Sequence, residues 1–145
     1  MADKTRVTAA DLGINVGSRR ERALFHWLIC VILFSKPVQQ EIAGAAFRAL
    51  KEAKADTPER IRAAGWQRLV KLLGEAHYKR YDESTASRLI AASRKVQEEH
   101  GGRLRNLVTA CDSAAALRKA VQGFDGIGPK GADIFLGEVA PAYFR

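Results

Sequence analysis

The run ALFHWLICVILF, residues 23–34, constrains the fold more than any other stretch of this chain. It is apolar at nearly every position, with Arg22 just before it and Lys36 just beyond. A helix needs about 20 apolar residues to cross a bilayer core, so this run is too short to span one. A helix that is apolar all round has no face to offer water and belongs at the centre of a fold. Such a helix needs a shell. The rest of the sequence offers one made of helices: alanine is abundant, β-branched alternation is rare, and apolar residues recur at helical spacing.

The expected fold is all-α, about eight helices joined by short turns. Residues 1–17 read as a loose polar lead, and 18–145 as a single helical domain, because no repeat or linker divides it. The first helix runs from Arg19 to Phe34, and SKP ends it, since proline removes a donor and pushes the preceding residue out of helical geometry. Pro37 then suits the first turn of a second helix, ending near Ala53. In DTPER, Asp56 or Thr57 can cap a third helix with Pro58 in its first turn, and Gly65 separates it from a fourth, WQRLVKLLGEA. Asp82 caps a long helix that Gly101-Gly102 stops at His100. A short turn from Leu104 leads to Asp112 or Ser113, which caps AAALRKAVQGF, and the last helix runs from Pro129 to Val139.

The 145 residues carry 24 basic and 16 acidic side chains, a net charge of +8. Residues 60–105 hold 11 of the basic and 5 of the acidic groups, whereas residues 106–145 are neutral. This balance points to a polyanionic partner, nucleic acid before an anionic membrane; the alternative is a basic but inert surface. The two cysteines, Cys30 and Cys111, make neither a disulfide framework nor a metal-ligand pair, and the three histidines are scattered, so no metal or cofactor is expected. There is no secretory leader, which makes the expected location cytoplasmic, with the nucleoid as its bacterial form.

The stretch GFDGIGPKGADIFLGEV, residues 123–139, carries the chemistry. A helix ends at Gly123 and another must begin at Pro129. Gly126 and Gly128 can take a positive φ or let another backbone come close, while Ile127 tucks inward and pins the turn. The unpaired amides of the turn and of the new helix point one way, which makes a site for one phosphate, with Lys130 at its rim. Such a site positions a nucleic-acid backbone without reading bases. The spacing is not that of a P-loop, and no strand precedes it as a dinucleotide fingerprint requires. The plain alternative is a glycine-rich turn between two packed helices.

FDGIGPKGA resembles the helix-hairpin-helix of the endonuclease III-like DNA glycosylases. LICVILFSKPVQQEIAGAAFRAL (28–50) is similar to that family's early pair of core helices, and YDESTASRLIAASRKVQEEHGGRL (81–104) to the long helix ahead of its hairpin. The resemblance covers most of residues 20–139 and implies a six-helix barrel-like module with its hairpin, residues 113–139, near the C-terminus. It implies duplex DNA, damaged or abasic, as the partner, held through Gly126, Ile127, Gly128, Lys130 and Gly131. Lys130 falls where bifunctional members hold the lysine that attacks the sugar of a flipped-out nucleotide. That role needs an unprotonated amine in a desolvated pocket; the alternative is a phosphate contact.

The chain departs from the family in several ways, the absence of the family's four-cysteine cluster among them. The family's catalytic aspartate would fall beyond Arg145, as would its closing C-terminal helices. Lys36-Pro37 stand where some members carry a glutamine, and Asp125 replaces the usual turn proline. The sequence therefore reads as a shortened or divergent member, a DNA glycosylase or abasic-site lyase by type, with a non-catalytic DNA-binding module as the alternative. In HYKRYDE (77–83), Tyr78 and Tyr81 could stack on bases while Lys79 and Arg80 pair with phosphates, and Arg80 or Tyr81 could wedge into the duplex; equally, this is a solvated turn with a tyrosine anchored in the core. Ile134, Phe135, Leu136, Val139, Tyr143 and Phe144 crowd the end of the chain and need a covering surface. That surface is this domain, a second copy in a homodimer, or a continuation of the chain. A homodimer of this kind belongs to the third reading of the sequence, a helical interaction protein in which the hairpin is only a turn.

Overall fold

The apolar run 23–34 becomes most of α1 (Glu21–Phe34), the axis around which the chain is arranged. Every residue from Leu24 to Leu33 is buried. The computed structural model describes residues 7–144. Six further α-helices follow: α2 (Gln40–Glu52), α3 (Pro58–Glu75), α4 (Asp82–Glu99), α5 (Leu104–Thr109), α6 (Ala114–Val121) and α7 (Pro129–Tyr143). No strand occurs among the described residues, so the all-α expectation holds. α1 packs against α2, α4, α5 and α7, and α3 lies along α4. One apolar core takes residues from all seven helices. No helix of the described residues is long and apolar enough to cross a membrane.

Seven helices replace the eight expected because the segments on either side of Gly65 count as one element. The break is nonetheless present: Gly65 sits at φ 83 and ψ 165 inside α3, a left-handed conformation that interrupts the helix. α2 starts at Gln40, three residues later than Pro37 suggested. The intervening chain makes a tight turn in which Val38 N–H donates to the Lys36 carbonyl at 2.8 Å. α7 continues past Val139 to Tyr143, taking Pro141 into its last turn.

The expected loose lead over 1–17 is corrected from residue 7 onward; residues 1–6 lie outside the described residues. Ala9, Leu12, Ile14 and Val16 are buried, and two short 3-10 turns, Ala10–Leu12 and Val16–Ser18, place them on the core. Gly13, at φ 75, closes the first turn. The second turn packs on α7. The alternation of apolar and polar residues there is too short to give a helical period, so the sequence carries no local signal of a core segment. The same contact answers the crowding at the other end of the chain. Ile134, Phe135, Leu136 and Val139 of α7 are buried within this chain. Tyr143 and Phe144, at the end of the same face, are half-buried against the core.

Thr57 caps α3, its hydroxyl accepting from Arg60 N–H at 3.2 Å. Asp56, the other candidate cap, is instead buried, and its Oδ2 lies 2.9 Å from Nε2 of buried His26. Burial pushes the His26 imidazole below its ordinary value, helped by the nearby cations Lys51 and Arg22, while Asp56 opposes the shift. A base with a depressed folded pKa takes up its proton in the unfolded chain first, so acid favours unfolding. The unfolding free energy should therefore fall as pH drops below about 6.5. Urea titrations at several pH values check this: His26→Gln should be less stable at neutral pH but show a flatter fall into mild acid. Parallel pH curves for the two proteins would contradict it.

Candidate nucleic-acid interface

α6 and α7 form a two-helix hairpin. Ser113 starts it, its hydroxyl accepting from Ala116 N–H at 3.1 Å. The turn is held by two backbone bonds, Phe124 N–H to Val121 O and Ile127 N–H to Phe124 O, both 3.1 Å. Ile127 is buried and pins the turn from inside. Across the hairpin, Arg118 Nε donates to Asp133 Oδ1 at 2.7 Å, tying one helix to the other.

The glycines act in different ways. Gly126 takes φ 86, and a Cβ there would stand 2.5 Å from Nε of Arg88, a residue of α4 whose side chain lies across this backbone. Gly131 is buried, and a Cβ on it would come within 3.2 Å of the Ile127 side chain. Its missing side chain therefore serves packing, and only its N–H remains for a ligand. Gly128 has an ordinary φ of −95, and a Cβ there would meet nothing within 4 Å. Its openness faces outward rather than easing strain.

The first backbone bond of α7 is Ala132 N–H to Gly128 O at 2.9 Å. The amides of Gly128, Lys130 and Gly131 make no hydrogen bond among the described residues. Together with the helix dipole they form an anion-seeking rim. They line a cleft of about 350 Å³ whose other wall is the α1–α2 turn, with Phe34 and Lys36 facing Gly126, Lys130 and Ile134. Lys130 is exposed at the rim. Lys36 is half-buried. Burial lowers its pKa, Arg88 lowers it further, and Asp125 acts the other way.

The aromatic turn divides between core and surface. Tyr78 is buried, its hydroxyl donating to the Leu33 carbonyl of α1 at 2.7 Å, and burial pushes that phenol up to about 12. It is the core anchor of the turn, and the expectation that it stacks on bases is withdrawn. Tyr81 is half-buried with Lys36 Nζ 5.2 Å and Arg80 Cζ 5.4 Å from its ring centre, so it stands beside the cleft through Lys36. Lys79 lines a separate hollow with Gly74, Glu75 and Asp82. The structure thus brings Gly126, Gly128, Lys130 and Gly131 to one cleft, with Ile127 beneath them. Tyr81 stands beside it through Lys36, whereas Arg80 lies against the Tyr81 ring and not in the cleft's lining, and Lys79 lies outside it. Arg88 escaped the sequence reading, since a lone arginine in an amphipathic helix carries no signal until the hairpin closes on it.

No protein-family model matches the chain, and no curated protein matches it in sequence.

The two outer glycines should separate in unfolding experiments. Gly126→Ala should cost about 1–2 kcal/mol, because a Cβ strains a left-handed backbone and meets Arg88. Gly128→Ala should leave stability unchanged within about 0.5 kcal/mol. Equal losses at both positions would contradict this division.

Proposed function

We propose that this protein binds duplex DNA through the α6–α7 hairpin, in the manner of the helix-hairpin-helix proteins of base-excision repair, with a damaged or abasic nucleotide as the occupant of the adjoining cleft. The observation that carries this reading is the set of unpartnered amides at Gly128, Lys130 and Gly131, opening beside an exposed lysine with no side chain at residue 128 to block approach. One backbone phosphate fits that chemistry, since N–H donors and a helix N-terminus both favour an anion. Lys36 and Arg88 add positive charge along the same edge and help to hold the strand.

Lys130 takes the phosphate in this reading. A Schiff-base lysine must lose its proton, which desolvation promotes, and Lys130 is exposed. The protein is then a DNA-binding member of its class, and the cleft holds a nucleotide by shape and charge.

Duplex affinity measured at several salt concentrations tests the reading. Log K should fall linearly with log salt, and Lys130→Ala should reduce the slope by about 1, the share of one phosphate contact. Gly128→Ala should weaken binding with no loss of stability, because its Cβ stands where the phosphate approaches. Salt-independent affinity, or wild-type binding by both variants, would overturn the proposal. Borohydride treatment with abasic duplex should trap no adduct; an adduct lost in Lys130→Ala would make that lysine the nucleophile instead.

A further inference from the structure

α1 has 14 residues and so is about 21 Å long. The hairpin cleft lies at its C-terminal end, against Phe34 and Lys36. A second cavity, about 640 Å³, opens at its N-terminal end. Arg20, Arg22 and Lys51 line it, with Asn15 and Ser18 on the wall and His26 at the floor. None of its lining residues is acidic.

The cations there are not neutralised locally. Arg20, Arg22 and Lys51 make no ion pair among the described residues. Glu52, beside Lys51 in the chain, makes no ion pair among the described residues, and the carboxylates of Glu21 and Asp56 are engaged elsewhere. Glu21 turns away to accept from Leu104 N–H at 2.7 Å and Arg105 N–H at 2.8 Å, starting α5. Asp56 is buried beneath His26 and bonded to it. The side-chain amide of Asn15 makes no hydrogen bond among the described residues. Three exposed cations thus line one hollow that has no acidic wall, and an anion seated among them gains their attraction. Arginine pairs in particular suit the oxygens of a phosphate, which they can bind through two parallel bonds.

We propose that this cavity is a second anion site, binding a phosphate group among Arg20, Arg22 and Lys51 with Asn15 as a further donor. It is separate from the hairpin cleft and stands or falls without it. The phosphate can belong to a small phosphorylated molecule or to a DNA backbone, and both present the same oxygens to the same donors.

Titration of the whole protein with inorganic phosphate, followed by NMR, tests the site. Saturable shifts at Asn15, Arg22 and His26 are expected in wild type and in Lys130→Ala. The Arg22→Gln/Lys51→Gln variant, whose substitutions lie at the surface, should bind at least about tenfold more weakly, the loss of about 1.4 kcal/mol. No saturable shift at those residues would overturn the proposal, and so would unchanged binding by the folded double variant. A short duplex added to the phosphate-loaded protein identifies the source: displacement assigns the site to a DNA backbone, and simultaneous binding assigns it to a small phosphorylated molecule.

Discussion

A helix without a polar face dictates this structure. α1 buries ten successive residues, and the chain can satisfy it only by wrapping helices around its full length. The N-terminal turns and α7 complete the wrap. Fully burying a large apolar side chain is worth about 1.5–3 kcal/mol, so a run of this kind outweighs any local preference of the segments that cover it. That explains why residues 9–16, weakly patterned on their own, are held on the core.

Burying a helix leaves its ends to be dealt with, and both ends of α1 are tied by side-chain hydrogen bonds. At the C-terminal end, Ser35 Oγ donates to the Val31 carbonyl and the Tyr78 hydroxyl to that of Leu33, at 2.8 and 2.7 Å. These bonds satisfy carbonyls that the helix cannot pair itself. Tyr78 also fixes the turn that carries Arg80 and Tyr81. At the other end Glu21 binds the start of α5; burial raises its pKa from the ordinary value, while the hydrogen bonds from Arg105 and Leu104 oppose that shift. The turns at the two ends become the walls of two hollows, each lined by cations.

The core was readable because periodicity and the apolar run act locally. The central helix, the break at Gly65, the cap at Thr57 and the stop at Gly101-Gly102 all follow from residues within a turn of the feature they set. The hairpin's inward isoleucine was legible for the same reason. Long-range facts were not. Arg88 meets Gly126 only after α4 and the hairpin pack together, and Asp56 left its capping role for a histidine thirty residues away in sequence. The aromatic turn shows the limit most clearly. Tyr78 and Tyr81 are three residues apart and alike in the sequence, yet one is buried and the other flanked by cations. Which tyrosine faces inward is decided by the carbonyl of Leu33.

The central claim is that the open amides at the start of α7 receive a backbone phosphate. Amide chemical shifts of the labelled protein, followed as a short duplex is added, test it most directly. The account predicts that Gly128, Lys130 and Gly131 move most and together, with Arg88 and Lys36 following, and that the shifts vanish at high salt. Shifts confined to α3, α4 or the N-terminal cavity, with the α7 amides unmoved, would contradict it.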